Sequence, residues 1–479
     1  MKLQLIGHDS RYAMEQIQLV LFPAEKVEYA ETPFDGDGAV SRLSQGRRWM
    51  TASTKITRCG VTHTGIARCA APGAEESRKR QILRQSFYKA ALPFLDAAPS
   101  WGALSGVRPT KLVTRELLSG GTRKSADRLL RYVYYVTPAR RQLALDAGEA
   151  SVEAWHRQQD GDISLYVGIP FCPTRCIYCS FVSAAIEKQR HLLDPYLRAL
   201  EQEIHAAAQG LLDHPRRIRT VYIGGGTPTT LSACQLSRLL DTLHREFDLS
   251  GCLELTVEAG RPDTLDPEKL HALKAGGATR ISINPQTMDD RVLAIMGRSH
   301  SSSDILRAYE QAIQAGHRDI NMDLIAGLPG DTPEGFHRTL DQVLALSPAS
   351  ITVHTLALKK AATLYYENKA VLPSADDVEQ MLQAGNSALR RENYRSYYLY
   401  RQKYMTGSFE NVGWCRHGFE NLYNIYMMEE MHSILSLGAG GMTKIVSGGK
   451  ISRISNPKYP QEYIRDIQSI MTRKREVSL

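Results

Sequence analysis

The chain has 479 residues, 43% of them hydrophobic and 23% charged, and a formal net charge of +8. That length predicts two or three domains, and the balance excludes disordered and fibrous classes. No apolar run is long enough to span a bilayer, and the apolar stretch within Met1–Asp9 is too short for a signal peptide, so the chain is expected to stay in the cytoplasm with no membrane partner. The positive charge suits an acidic small molecule, an acidic electron-transfer partner or nucleic acid, and does not choose among them.

The first 160 residues carry little regular patterning. One strong helix is predicted over Glu75–Ala91, a turn-rich segment runs from Trp101 to Lys111, and a helical stretch around Pro138–Arg157 leads out of this N-terminal domain. From about residue 163 to 358 a short apolar strand, a turn and an amphipathic helix recur. The predicted strands are Ile163–Phe171, Thr220–Gly225, Leu253–Ala259, Arg280–Gln286, Asp319–Gly327 and Ser350–Leu358. Helices are predicted over Pro195–Ala208, Ser232–Phe247, Asp266–Ala275, Ser303–Ala315 and Pro333–Leu346. Asp266-Pro267 and Thr332-Pro333 each put a capping residue before a proline at the first helical position. Strand–helix units in series imply parallel strands, and about six of them fit a partial (β/α) barrel better than a closed eightfold one. Beyond residue 358 the pattern changes to a helix over Ala375–Arg391, an aromatic strand over Arg395–Tyr404, and helices over Asn421–His432 and Pro460–Arg475.

Three of the eight cysteines, Cys172, Cys176 and Cys179, fall within eight positions directly after the first predicted barrel strand. In a chain expected to stay in a reducing compartment, this crowding reads as metal binding before disulfides. A CxxxCxxC loop can wrap one [4Fe–4S] cubane, and three thiolates for four irons leave one iron open. That iron would chelate the amino and carboxylate groups of S-adenosylmethionine (SAM). After the second strand, Gly224-Gly225-Gly226-Thr227 removes side-chain bulk where a ligand's backbone contacts would fall. Glu258, Gln286 and Asp323 put polar groups at or near the ends of later strands, and Arg298 follows Gln286 by a short helix. Such groups suit ribose hydroxyls, a methionyl ammonium and its carboxylate. Cys59, His63 and Cys69 are spaced too irregularly for a second metal site. Lys359 and Lys360 would either bind substrate carboxylates or stand in a solvated loop. Tyr397, Tyr398, Tyr400 and Tyr404 are expected to pack rather than stack on a flat ligand.

Taken together, these segments resemble a known family, the oxygen-independent coproporphyrinogen III oxidases (coproporphyrinogen dehydrogenases) of the radical SAM superfamily. The likeness lies in Tyr166–Phe171 running into the cysteines, Gly224–Thr229, Val257–Asp263, Ile281–Thr287 and Met322–Gly330. Gly106–Lys111, Glu410–Gly413, Leu422–Ile425 and Leu437–Gly440 are similar to a longer bacterial branch. The resemblance implies an α/β fold: an N-terminal α+β domain over residues 1–160, a partial (β/α)6 radical SAM barrel over 161–360, and a mostly helical C-terminal domain over 361–479 on the substrate side. It implies cluster ligation by Cys172, Cys176 and Cys179, and SAM contacts from Tyr166, Tyr178, Gly225, Gly226, Thr227, Glu258, Gln286, Arg298, Asp323 and Ala357.

The activity implied is removal of a β-hydrogen from two propionates of coproporphyrinogen III by a SAM-derived radical, with loss of CO2 to give vinyl groups. The partners implied are a porphyrinogen bearing carboxylates and a reducing donor such as a flavodoxin or ferredoxin. One position departs from the decarboxylating members, which carry a cysteine two residues after the third ligand. Here it is Phe181, as in the haem-chaperone relatives. A haem chaperone of the same fold, and a radical SAM enzyme acting on nucleic acid, are the alternatives.

Overall fold

The computed structural model describes residues 1–71, 75–181, 183–212, 215–357, 362, 364, 372–401, 409–477 and 479. They form two compact units, Met1–Asp146 with Arg401, and Ala147–Tyr400 with the described residues from Phe409 onward. The division falls inside the helix Pro138–Arg157.

The first unit holds a five-stranded sheet in the order Glu28–Tyr29, Lys2–Ile6, Gly38–Gln45, Trp49–Arg58, Val61–Ala70. The first two junctions are parallel and the last two are antiparallel hairpin pairings. Cys59 and Gly60, at φ 47° and 76°, make the tight turn between the two longest strands, the left-handed pair that suits a two-residue hairpin. Helices Arg11–Leu21 and Glu76–Ala91 contribute Met14, Ile17, Ile82, Leu83 and Phe87 to one core with Ala39, Ala52 and Ile56.

In the second unit the six barrel strands are Asp162–Ile169, Arg217–Gly225, Glu254–Glu258, Arg280–Ser282, Asp319–Ala326 and Ser350–Thr355. They lie in sequence order and all pair in parallel, as serial strand–helix units require. Leu193–Leu212, Ala233–Glu246, Pro267–Ala275, Ser302–Gln314 and Pro333–Ala345 are the intervening helices. The proline-first caps operate as expected: the Asp266 side chain accepts from the Lys269 N–H and that of Thr332 from the Gly335 N–H. The fold is therefore the partial (β/α)6 barrel.

The segment after residue 360 has helices Ala375–Arg391, Leu422–Glu429, Pro460–Arg465 and Ile467–Arg475, and its strands extend the barrel's own sheet. Glu410–Cys415 runs antiparallel to the sixth barrel strand, and Ser433–Leu437 runs parallel to the first. Glycines allow close packing here: a Cβ on Gly413 would lie 2.0 Å from the ring of Tyr398 on the neighbouring strand Arg395–Arg401, and one on Gly438, just past Ser433–Leu437, would lie 2.4 Å from the Gly168 carbonyl. Behind the pairing with the first barrel strand, the buried Glu203 carboxylate accepts from Gly438 N–H (2.7 Å), Asn456 Nδ2 (2.7 Å) and Tyr463 OH (2.5 Å). Lys359, Lys360, Tyr404 and the end of the predicted sixth strand at Leu358 lie outside the described residues. Among the described residues no helix is long and apolar enough to cross a membrane.

Candidate active site

The cysteine loop leaves the first strand through Phe171–Cys172 and is held from three sides. The glycine-rich turn docks beneath it: Gly226 N–H donates to the Ile169 carbonyl (2.8 Å) and Thr227 N–H to that of Phe171 (2.6 Å). A Cβ on Gly226 would sit 2.5 Å from the Phe171 oxygen, so only glycine allows this approach. Thr227 Oγ1 lies 3.5 Å from Cys172 Sγ. From a second side, buried Arg261 donates to Thr174 Oγ1 at 2.8 Å while its fork grips Asp263 at 2.6 and 2.9 Å. From a third, buried Arg298 reaches the Tyr178 hydroxyl (3.1 Å) and the Asn284 carbonyl (2.8 Å). Val292, Met296, Ile325 and Leu328 pack with Ile177 and Tyr178 as an apolar backing.

Burial pushes the Cys172 and Cys179 thiols up, with Cys176 adding to the rise at Cys172 and both Cys172 and Cys176 adding to it at Cys179. Among the described residues no three His, Cys, Asp or Glu side chains converge on a single-ion site. One thiolate per iron would leave one iron of a cubane without a protein ligand.

The strand-end residues face a common mouth. Glu258, last in the third strand, accepts from the Tyr222 hydroxyl (2.6 Å) and from Gly225 N–H (3.2 Å). Tyr222 in turn stacks on Tyr423 (centroids 4.6 Å apart), with Tyr166 at 6.2 Å from Tyr222 and 6.4 Å from Tyr423. Tyr423 is placed by its helix, whose first two amides, Leu422 and Tyr423, donate to Glu254 at 2.8 and 3.3 Å. On the fifth strand Asp323 accepts from Asn321 Nδ2 (2.7 Å) and lies 3.7 Å from His354 Nε2 of the sixth. Desolvation works against the Asp323 charge, but His354, together with hydrogen bonds from Asn321 and Thr352, holds this carboxyl below its ordinary value.

Gln286 lies past the short fourth strand at φ 67°. Its N–H donates to the Asp323 carbonyl (2.8 Å) and its carbonyl accepts from Ile325 N–H (3.0 Å). Ala357 lies two residues past the sixth strand. The contacts above join ten of the thirteen predicted site residues to one another or to the cysteine loop (Tyr166 through Tyr222), Cys176 and Cys179 belong to the loop itself, and Ala357 is placed only by its position in the chain.

Tyr222, Tyr423, His354 and Arg261 were missed in the sequence. A lone histidine in the apolar run Ser350–Thr355, and an arginine before Pro262-Asp263, were legible signals. Tyr222 gave none, because it sits in an ordinary strand pattern, and Tyr423 falls in the likeness over Leu422–Ile425, which assigns it no role. Cys59 is exposed in its hairpin turn, Cys69 pairs with Met50 across the strands, and His63 packs edge-on to Phe94 at 4.9 Å. Tyr397 and Tyr398 pack in the core with Cys415, as expected.

Several polar atoms here are buried without a partner among the described residues: Gln286 Oε1, Arg298 Nε and Asn284 Oδ1. Buried polar atoms call for hydrogen bonds, and a bound ligand would supply them. With the glycine cradle and the three thiols, this donor and acceptor set fits a [4Fe–4S] cluster and SAM.

Desolvation, reinforced by the Asp323 charge, pushes the Glu258 carboxyl up to about 7 against the pull of Tyr222, Gly225 and His354. A raised carboxyl keeps an extra proton in the folded state, so its contribution favours folding at pH 5 and fades as pH climbs through 7. Glu258→Gln should remove that slope, by up to about 3 kcal/mol between pH 5 and 8. Urea unfolding at the two pH values measures it, and an unchanged slope in the variant would refute the assignment.

Residues 166–343 match the radical SAM superfamily. The chain is 36% identical to the oxygen-independent coproporphyrinogen-III oxidase-like protein HemZ of Bacillus subtilis, over 88% of this chain and 86% of that protein. It is 32% identical to the haem chaperone HemW of the same organism, over 60% of this chain and 74% of the chaperone. The solved coproporphyrinogen III oxidase HemN of Escherichia coli, a radical SAM enzyme, superposes with a TM-score of 0.54 at 26% identity, over 67% of this chain and 72% of that one. The chain belongs to the oxygen-independent coproporphyrinogen III oxidase-like family of the radical SAM superfamily, with a [4Fe–4S] cluster and SAM as its cofactors.

Proposed function

We propose that this protein carries out the oxygen-independent oxidative decarboxylation of coproporphyrinogen III to protoporphyrinogen IX, a step of haem biosynthesis. The observation that carries this reading is the likeness to the oxidase-like relative along nearly the whole of both chains, N-terminal unit included. Cys172, Cys176 and Cys179 would hold the cluster. Tyr166, Tyr178, Gly225, Gly226, Thr227, Glu258, Gln286, Arg298, Asp323 and Ala357 would hold SAM. When bound, the pair supplies a 5′-deoxyadenosyl radical able to take a β-hydrogen from a propionate.

The chain's own residues orient and shield. Asp323, kept charged by His354, suits the methionyl ammonium or ribose hydroxyls, and Arg298 suits the methionyl carboxylate. The Tyr166, Tyr222 and Tyr423 stack and the apolar backing behind Tyr178 exclude water from the reacting centre. The segment after residue 360 would cover the substrate side. A flavodoxin or ferredoxin would deliver the reducing electron, and an acceptor takes the electron released with each CO2.

A second reading, haem carriage, is favoured by one observation. Phe181, 67% exposed beside the third cysteine, offers a ring face to a flat macrocycle and no thiol. Anaerobic incubation with coproporphyrinogen III, SAM and a strong reductant separates the two. Conversion to protoporphyrinogen IX, read by chromatography after oxidation, is the expected result. Stoichiometric haem binding with no divinyl product would instead establish the carrier.

A further inference from the structure

The N-terminal unit has a cavity of about 460 Å³ that the proposed reaction does not use. Arg78, Arg80 and Arg84 reach it from the helix Glu76–Ala91, Arg115 from the helix Thr110–Leu118, and Tyr134 closes one wall. Four guanidiniums face a single acid, Glu116, which already accepts from Ser125 Oγ at 2.6 Å. None of the described ion pairs engages the four arginines, although the same helix pairs Lys79 with Glu76.

Arg84 is the innermost in character. Its Nε is buried, and no acceptor among the described residues reaches it. Desolvation and the like charge of Arg80 both work against its protonated form, with the Tyr134 hydroxyl only partly offsetting them. Tyr134 itself senses Arg84 and Arg115, so the three groups converge. Arg78, Arg80 and Arg115 are exposed to solvent and free to turn toward a ligand, while the buried Arg84 Nε lacks an acceptor that a bound anion would supply.

We propose that this cavity is a binding site for a small organic anion with two or more carboxylate or phosphate groups. Guanidinium forks match both groups bidentately. The volume lies in the range of small-molecule sites, and the arginines line a concavity rather than a stripe along the surface, which favours a small ligand over a nucleic-acid strand.

Calorimetry on the full-length protein tests this, with pyrophosphate and citrate as probes that distinguish the phosphate from the carboxylate source. At least one should bind once per chain with a dissociation constant below about 1 mM. That affinity should fall at least about tenfold in both Arg84→Gln and Arg115→Gln, as expected for a lost charge-assisted bond. Arg68→Gln, on the exposed part of the strand Val61–Ala70, should bind as wild type. If Arg84→Gln does not fold, as judged by its thermal midpoint and iron content, Arg80→Gln takes its place. The site is overturned if neither probe binds or if binding survives the cavity substitutions. Equal weakening by Arg68→Gln, or binding of a single-stranded oligonucleotide where both probes fail, also overturns it.

Discussion

Cys176→Ala should strip the protein of its cluster, taking iron and sulfide from about four per chain to background and removing the visible absorbance. Cys176 is the buried member of the trio, and its carbonyl accepts from Cys179 N–H at 3.1 Å, so it stands at the hinge of the loop. Two remaining thiolates cannot hold a cubane against solvent and reductant. Cys172→Ala and Cys179→Ala should behave alike. Cys59→Ala and Cys69→Ala should keep a full complement, because those residues belong to the hairpin of the other unit. Iron analysis and absorbance after anaerobic reconstitution measure this, and cluster loss in a folded Cys59 or Cys69 variant would show the site to be misplaced.

Asp323→Ala should leave the iron content intact and weaken SAM binding by about 1–3 kcal/mol, roughly five- to 150-fold. The carboxylate is fixed by Asn321 and held ionised by His354, so it is organised before any ligand arrives. Removing it leaves His354 without its anion, and Asp323→Asn, which keeps the shape, should recover little. Glu258→Ala and Arg298→Ala should lose affinity by similar amounts. Calorimetry with SAM on the reconstituted protein reads all three, and unchanged affinity throughout would sink the ligand assignment.

The parts legible in the sequence were those in which each residue's local preference agrees with the global fold. The barrel strands alternate with helices, most of them strongly amphipathic, and Thr332-Pro333 announces one of these while Asp266-Pro267 announces a helix whose own periodicity is weak. The fourth strand was read as reaching Gln286 but ends at Ser282, because Gln286 turns into the left-handed region to pair with the fifth strand. The strand Ser433–Leu437 was missed, its first residue following directly on a helix read through to His432. That helix stops at Glu429, and Glu430 at φ 58° ends it.

The N-terminal sheet was invisible for a different reason. Trp49–Arg58 turns Met50, Ala52, Thr54 and Ile56 inward, and alanine and threonine give too weak a period of two to stand out. At the site, residues at strand ends declared themselves as polar interruptions of apolar runs. Tyr222 and Tyr423 did not, because their role depends on a meeting between the second strand and a helix two hundred residues later.

The proposed reaction removes CO2 from propionates without oxygen even though Phe181 stands where decarboxylating relatives carry a cysteine. Coproporphyrinogen III labelled at its propionate carboxyls, incubated under strict anaerobiosis with reconstituted protein, SAM and reductant, tests it most directly. Labelled CO2 should appear well above the level of a cluster-free Cys176→Ala control, with only a modest change of rate in Phe181→Cys. No label above that control, with 5′-deoxyadenosine formation confirmed in the same tube, would contradict it.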